Sequence, residues 1–188
     1  MSKKEPQSHI AIIDSMYELL AEKSFRSITT KEICNRAGVG RSTFYRHFHD
    51  KYEILEKENA QIIDGVTHSM NKFLEDGDFE SLPYRLLESV DRKRYLSLID
   101  VTDYTVNLRR DLHNAVERYY LLYFKQKEIS QKWNISFSFA KDLFVATVLA
   151  FLENSLRADT KDEVDRNIAF SKKIVGMFMK NPVDPSNN

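Results

Sequence analysis

The amino-acid sequence predicts an all-α fold of about nine helices, because apolar residues recur at three- and four-residue spacings along most of it. Only five Gly and four Pro occur among the 188 residues, which favours long helices and few turns. No segment shows the alternation of apolar and polar residues that is typical of a strand. The single cysteine, Cys34, excludes an internal disulfide and fits a reducing compartment.

The first helix is predicted from about His9 to Ser24, with Ile10, Ile13, Tyr17 and Leu20 on its inward face. Thr29, followed three residues later by Glu32, has the spacing of a capping box and predicts the start of a second helix. Gly38 tolerates the left-handed backbone at a helix end, and it therefore predicts where this helix stops.

A third helix is predicted to begin at Gly40 or Arg41 and to direct Phe44 and Phe48 inward, since they are four residues apart. Its outward residues are then rich in hydrogen-bond donors and contain no carboxylate: Arg41, Ser42, Thr43, Tyr45, Arg46 and His47. Two short helices joined by a tight turn, the second presenting donors, form a helix-turn-helix arrangement suited to a DNA groove. Asp50 and Glu53 predict a cap for the next helix.

The distribution of charge agrees with this interpretation. The chain has a formal net charge of +0, but residues 1–51 contain nine Lys or Arg against six Asp or Glu. The remainder of the chain is correspondingly acidic, so the basic excess lies where DNA binding is predicted.

The stretch from Ile28 to Lys51 resembles the amino-terminal domain of the TetR family of bacterial transcriptional regulators (TetR/AcrR-like). The resemblance rests on Ile28-Thr29-Thr30, Ala37-Gly38-Val39, the run from Ser42 to Phe48, and Asp50-Lys51. It implies a three-helix DNA-binding domain in residues 1–51 and a larger helical carboxy-terminal domain for ligand binding and dimerisation in residues 52–188, linked by a helix over residues 50–75. It also implies a homodimeric repressor that binds double-stranded DNA at an inverted-repeat operator and is released by a small-molecule effector. The alternative is a TetR-like co-activator or DNA binder that has no small ligand and is controlled by a protein partner.

The resemblance also assigns roles at the predicted DNA surface. Contacts to phosphate are expected from Thr29, Thr30, Thr43, Tyr45, His47 and Lys51. For His47, packing against the fourth helix is the alternative. Candidates for reading base edges are Lys31, Arg41, Ser42 and Arg46, because an arginine can pair bidentately with guanine.

After the linking helix, which the Gly77 turn should end, helical spacing continues to near the carboxy terminus. The predicted helices cover residues 81–90, 91–102, 104–128, 138–158 and 161–179, and residues 130–136 with Trp133 form a connection.

The helix over residues 138–158 is apolar on more than one face, which predicts a partner for the second face. By resemblance this partner is a second copy of the chain, in a four-helix bundle with two-fold symmetry. The interface candidates are Phe144, Val148, Phe151, Leu152, Ile168, Val175 and Phe178. An entirely intramolecular core is the alternative.

By resemblance, the middle helices hold the effector pocket. Its candidate residues combine aromatic walls with polar groups, as small-molecule sites do: Tyr95, Tyr104, Asn107, His113 and Tyr120. Aromatic residues at helical spacing serve equally well as ordinary core.

The sequence has no glycine-rich nucleotide loop and no catalytic or metal-binding signature such as HExxH, GxSxG or paired cysteines. The prediction is therefore a non-enzymatic protein without cofactor or metal. No apolar run is long enough to cross a membrane, and a cytoplasmic location is expected.

Overall fold

The computed structural model describes residues 7–78, 80–124 and 134–179, with side chains as far as residue 174. These residues form α-helices and one short 3₁₀ helix and contain no strand, which confirms the predicted all-α fold. The α-helices are α1 (Gln7–Glu22), α2 (Thr30–Ala37), α3 (Arg41–His47), α4 (Lys51–Asp76), α5 (Leu82–Glu88), α6 (Arg92–Ile99), α7 (Leu108–Tyr123), α8 (Phe137–Arg157) and α9 (Lys161–Met179). The 3₁₀ helix covers Phe25–Ser27.

The helices group into two compact units. The first unit contains the described residues up to Gln61 together with Lys93–Arg109, and the second contains Ile62–Arg92 and the described residues from Arg110 onward. The domain boundary between residues 51 and 52 stays a prediction.

In the first unit, α1 packs against α2 and α3. Its inward face is centred on Ile12, Met16 and Leu19, whereas Ile10 is 45% exposed. The predicted face was therefore partly wrong, because apolar residues occur on more than one side of this helix and spacing alone does not select among them.

The turn chemistry of α2 is as predicted. The Thr29 hydroxyl accepts from the Glu32 N–H at 3.3 Å, and the Glu32 carboxylate accepts from the Thr29 N–H at 2.9 Å. Gly38 ends the helix in the left-handed region with φ 65°, and the Val39 N–H returns to the Cys34 carbonyl. These contacts fix the turn that leads into α3.

The start of α4 is capped by Asp50, whose carboxylate accepts from the N–H groups of Tyr52 and Glu53 at 2.8 and 3.0 Å. The Glu53 side chain reaches further back than a capping box requires. It accepts from the His49 N–H, so the reciprocal half of the predicted box is replaced by a bond one residue earlier.

In the second unit, α4 ends at Asp76, and Gly77 adopts φ 66°. Gly65 lies against the end of α5 so closely that a Cβ placed there would be 2.5 Å from the Ser89 carbonyl oxygen. The Ser69 hydroxyl donates to the Arg85 carbonyl at 3.1 Å along the same contact. The α4–α5 approach therefore depends on a residue without a side chain.

The predicted helix over residues 104–128 begins later, at Leu108. Asp103 accepts from the Thr105 N–H at 3.0 Å, a local side-chain bond that competes with helix formation at this point. Residues 125–128 and Trp133 lie outside the described residues. The last two helices, α8 and α9, pack against each other, and their bounds agree with the prediction to within one residue.

Candidate nucleic-acid interface

Helix α3 has one buried side and one open side. Phe44 and Phe48 are 0% and 1% exposed, and their rings lie 6.1 Å apart between centroids. Because these two residues fix the inward face, the residues between them turn outward. Arg41, Ser42, Tyr45 and Arg46 are exposed, and Thr43 is half-buried.

The cations predicted to read bases keep their charge accessible. Lys31, Arg41 and Arg46 are all exposed. None of the three takes part in an ion pair within the described residues, whereas other arginines of the same unit do. Unpaired guanidinium groups on one helix face can bind phosphate or guanine without first breaking a protein contact.

Neutral donors accompany these cations. Tyr45 is 58% exposed, and its ring makes a T-shaped contact with that of Phe44 at 5.4 Å between centroids. Ser42 is exposed, and Thr30 and Thr43 are half-buried. Their predicted phosphate and base contacts are geometrically open and stay predictions.

Thr29 has a structural role in addition to its predicted one. Its hydroxyl donates to the Glu32 carboxylate at 2.8 Å while it caps α2. Lys23 also binds that carboxylate, and hydrogen bonds from Lys23 and Thr29 lower the pKa of Glu32 to about 2. The negative charge of Glu32 is therefore paired with a neighbouring cation.

His47, at the end of α3, packs against the start of α1. Its Nε2 lies 2.8 Å from the Ser8 hydroxyl, and its ring meets that of His9 at 5.7 Å between centroids. Burial, together with the charges of Arg46, His9 and Lys57, lowers the pKa of His47. These side-chain contacts place His47 against α1, whereas the alternative from the sequence was packing against the fourth helix; the phosphate contact of His47 stays a prediction.

Lys51 has a role that the sequence analysis missed. Its ammonium group donates to the carbonyls of Phe25, Arg26 and Ile28 at 2.9, 3.1 and 2.8 Å. It also lies over the rings of Phe25 and Tyr52, at 4.6 and 5.5 Å from their centroids. Burial lowers the pKa of Lys51, and the nearby charge of Asp103 opposes this effect. No sequence motif signals these long-range carbonyl contacts.

Residues distant in sequence also join the first unit. Arg26 pairs with Asp103 at 3.4 Å. The buried carboxylate of Glu58 accepts from the Tyr17 hydroxyl at 2.5 Å and lies 3.3 Å from Arg94. These contacts attach the segment after α6 to the 3₁₀ helix, and they attach α6 and α1 to the first part of α4. Sequence spacing does not reveal them.

The effector candidates are divided between the two units. Tyr95, Tyr104 and Asn107 belong to the first unit, and His113 and Tyr120 belong to the second. Tyr95 and Tyr120 are buried, while Tyr104 is 91% exposed. The second unit instead has a small apolar cavity of about 30 Å³ lined by residues of α4, α5, α7, α8 and α9, among them Met70, Leu86, Tyr119 and Phe151. Tyr95 and Tyr120 are therefore core residues, and the effector pocket stays a prediction.

Most of the interface candidates on α8 and α9 are buried within the single chain. Phe144, Val148, Phe151, Leu152 and Ile168 are each at most 9% exposed within a single chain. These five side chains pack inside the second unit, because both faces of α8 are apolar and helical spacing does not distinguish them. The interface role of the predicted set stays a prediction. The side chains of Val175 and Phe178 lie outside the described residues.

The face that remains open is a groove between α8 and α9. Its volume is about 480 Å³, and it is lined mostly by apolar groups, including Leu143, Ala146, Ala150, Phe170 and Ile174. Leu143 and Phe170 are 42% and 65% exposed. Such a contiguous apolar surface on a helix pair is typical of a protein-binding face.

The described part of the chain was compared with the requirements of a metal site and of a membrane-spanning helix. It contains no group of three or more His, Cys, Asp or Glu arranged to hold a metal ion. None of its helices combines the length and apolarity that crossing a membrane requires.

Comparisons with known proteins agree with this geometry. Residues 12–57 match the family model of bacterial regulatory proteins, tetR family. Over 61 residues the chain is 36% identical to an uncharacterized HTH-type transcriptional regulator, YvkB, of Bacillus subtilis, covering 32% of this chain and 29% of that protein. Over 45 residues it is 40% identical to an uncharacterized HTH-type transcriptional regulator of Haemophilus influenzae, covering 23% and 22% of the two chains. The matched region thus spans less than a third of either curated relative.

Solved structures extend the likeness in fold to most of the chain. A TetR transcriptional regulator from Streptococcus agalactiae superposes with a TM-score of 0.61 at 20% identity, over 89% of this chain and 93% of that one. A putative TetR-family transcriptional regulator from Syntrophomonas wolfei gives 0.65 at 15% identity, over 96% and 98%. The chain is therefore similar to bacterial regulatory proteins of the tetR family over residues 12–57, and it shares the fold of these two solved structures over most of its length.

Proposed function

We propose that this protein is a transcriptional repressor that binds an inverted-repeat DNA operator as a homodimer. The observation that carries the proposal is the open face of α3, on which Arg41 and Arg46 are exposed and unpaired among the described residues. A short helix presenting cations and hydroxyls on one face has the chemistry needed to bind phosphates and read base edges in a major groove.

DNA binding is tested by fluorescence anisotropy on duplexes from the region upstream of the gene, over a salt series. Affinity should fall with salt at a slope of about −0.9 per phosphate contacted. Arg41→Ala should lose about 1–3 kcal/mol on the preferred duplex and relax one base position. Arg166→Ala is the matched control, since Arg166 is exposed on α9 and pairs with Asp162. Equal weakening by Arg41→Ala on every sequence would contradict its base-reading role.

The homodimer is proposed to form through the α8–α9 groove. Two copies related by a two-fold axis would each place Phe170 and Leu143 against the same face of the partner, which removes their exposed apolar surface from water. A dimer would also supply two copies of α3, as an inverted repeat requires.

Sedimentation of a matched pair of variants tests this interface. Leu143→Asp places a charge in the groove and should yield monomers, whereas Leu74→Asp should leave the dimer intact. The two leucines are comparably exposed in one chain, at 42% and 38%, but Leu74 lies on α4 outside the groove. A dimer that survives Leu143→Asp would refute the groove as the interface.

Release of DNA by a small-molecule effector is the remaining part of the proposal. Its structural support is the enclosed apolar cavity of the second unit, but a volume of about 30 Å³ is far below the roughly 300–1,000 Å³ of ordinary ligand sites. An effector would therefore have to repack Met70, Phe73 or Phe144 to enter. A compound that releases DNA should also raise the melting temperature with its concentration.

The small cavity favours a second candidate function. In that case the protein is a TetR-like DNA binder or co-activator controlled by a protein partner and has no small ligand. The two functions differ in a compound screen with a DNA-release readout. A compound that both releases DNA and stabilises the protein supports the effector, and release only by a purified partner protein supports the alternative.

A further inference from the structure

The side chain of Lys51 connects the two ends of the helix-turn-helix. Lys51 is the first residue of α4, and its ammonium group binds carbonyls that lie 26, 25 and 23 residues earlier in the chain. The last of these carbonyls belongs to Ile28, directly before the Thr29 cap of α2. Lys51 therefore follows the end of α3 in the chain, and its ammonium group binds the backbone just before the start of α2.

All three N–H donors of the Lys51 ammonium group have a hydrogen-bond acceptor. A lysine ammonium has three N–H donors, and three carbonyl oxygens at 2.8, 2.9 and 3.1 Å use all of them. The Phe25 ring lies 4.6 Å below the ammonium nitrogen, and its edge-to-face contact with Tyr52 places a second ring nearby. A phosphate oxygen could bind Lys51 only by displacing one of these carbonyls, which would lose its partner.

The shape of the site selects lysine over arginine. Three carbonyls converge on one point, which suits the compact ammonium with its three diverging N–H bonds. A planar guanidinium spreads its donors over a wider fork and does not fit the same point. Arg46 and Arg41, by contrast, are exposed and have no ion pair in the described residues.

We propose that Lys51 is a positioning residue, which fixes the start of α2 and the end of α3 relative to α4 and thereby sets how α3 is presented to DNA. It replaces the phosphate contact that the family resemblance implies for this residue. The proposal rests on the proposed DNA-binding function. By closing a long segment through three bonds, Lys51 restricts the conformations that the helix-turn-helix can adopt before it meets DNA.

Two variants separate positioning from phosphate binding. Lys51→Met keeps the side-chain length but removes the charge and the donors, and Lys51→Arg keeps the charge. Lys57→Met is the control for general loss of charge, since Lys57 lies on the same helix and pairs with Glu53 at 2.8 Å. Melting temperatures are measured first, and all binding is then measured where every variant is folded.

Binding is measured by anisotropy on a labelled duplex that the wild-type protein has selected from a random pool, over a salt series. Both Lys51 variants should lose about tenfold or more in affinity, the effect expected when contact residues leave their productive geometry. The salt slope should match that of Lys57→Met. A slope reduced by about 0.9 relative to that control, together with rescue by Lys51→Arg, would show a phosphate contact and overturn the proposal. Wild-type affinity in folded Lys51→Met would show a role in stability alone and would also overturn it.

Amide hydrogen exchange without DNA gives an independent readout. Exchange over residues 25–33 should accelerate in both Lys51 variants and stay unchanged in Lys57→Met. If the wild-type protein selects no duplex, the proposed DNA-binding function fails, and unchanged exchange in the Lys51 variants would then separately refute the positioning role.

Discussion

The two compact units differ in the contacts that hold each of them together internally. In the first, directional polar bonds join the elements, such as Lys51 to the 3₁₀ turn and Arg36 to Glu22 by two bonds. The second adds to its polar bonds a cluster of rings, with Tyr120 against Phe124 and Phe144 at 4.5 and 5.3 Å between centroids. Directional bonds fix helix ends to individual atoms, whereas ring packing fixes volumes and tolerates sliding. A DNA-reading surface needs the first kind of precision.

The largest effect is expected where the first unit depends on apolar packing. Phe44→Ala should destabilise the protein by about 3–5 kcal/mol, because Phe44 is 0% exposed in a small core. Tyr45→Ala on the same helix is the control and should cost far less, since Tyr45 is 58% exposed. Urea unfolding followed by circular dichroism measures both. Equal losses would mean that polar bonds, and not this core, hold the first unit.

A close backbone contact tests the tolerance of the second unit. Gly65→Ala should cost about 1–3 kcal/mol, because the new methyl group would lie 2.5 Å from the Ser89 carbonyl oxygen. Asp64→Ala, at the preceding exposed position of α4, should change stability by less than about 0.5 kcal/mol. Calorimetry distinguishes the two variants. A neutral Gly65→Ala would mean that α4 and α5 separate easily and that the second unit is looser than its packing suggests.

Two adjacent tyrosines offer a smaller and sharper test. The Tyr119 hydroxyl donates to the Met70 carbonyl at 2.6 Å, so Tyr119→Phe should cost about 1 kcal/mol. The Tyr120 hydroxyl is buried and has no hydrogen-bond partner among the described residues, and burial raises its pKa to about 12. Tyr120→Phe removes an unsatisfied group and should be neutral or stabilising. Melting temperatures that ranked the two variants in the opposite order would show that the Tyr120 hydroxyl has a partner in solution.

The same difference between the units explains what the sequence could predict. The α2–α3 turn is encoded locally, because Thr29, Glu32 and Gly38 bond within a few residues of themselves. The outward residues of α3 follow from Phe44 and Phe48 by helical geometry alone. The outward residues of α3 could therefore be predicted individually from the sequence.

Contacts between segments that are distant in the chain could not be predicted in this way. Leu152 and Leu143 lie on one helix and look alike in sequence, yet they are 0% and 42% exposed. Which face of α8 is covered depends on how the other helices fold onto it, and periodicity contains no such information. The carbonyl contacts of Lys51 were missed for the same reason, since backbone oxygens leave no mark in the sequence.

The smallest expected effect is the pH dependence contributed by His47, which joins α3 to α1 in the first unit. Burial and nearby positive charge lower its pKa from the ordinary value of 6.5, so below about pH 6.5 the unfolded chain binds more protons than the folded one. The stabilising contribution is therefore present above that pH and is lost as the pH falls through the folded-state pKa. The carboxylates act at lower pH, since Glu32 has a pKa of about 2 when folded. Urea midpoints of the wild-type protein should fall between pH 7.5 and 5.5, and those of His47→Gln should fall less. Equal slopes in the two proteins would mean that His47 meets water and that α1 does not cover the end of α3.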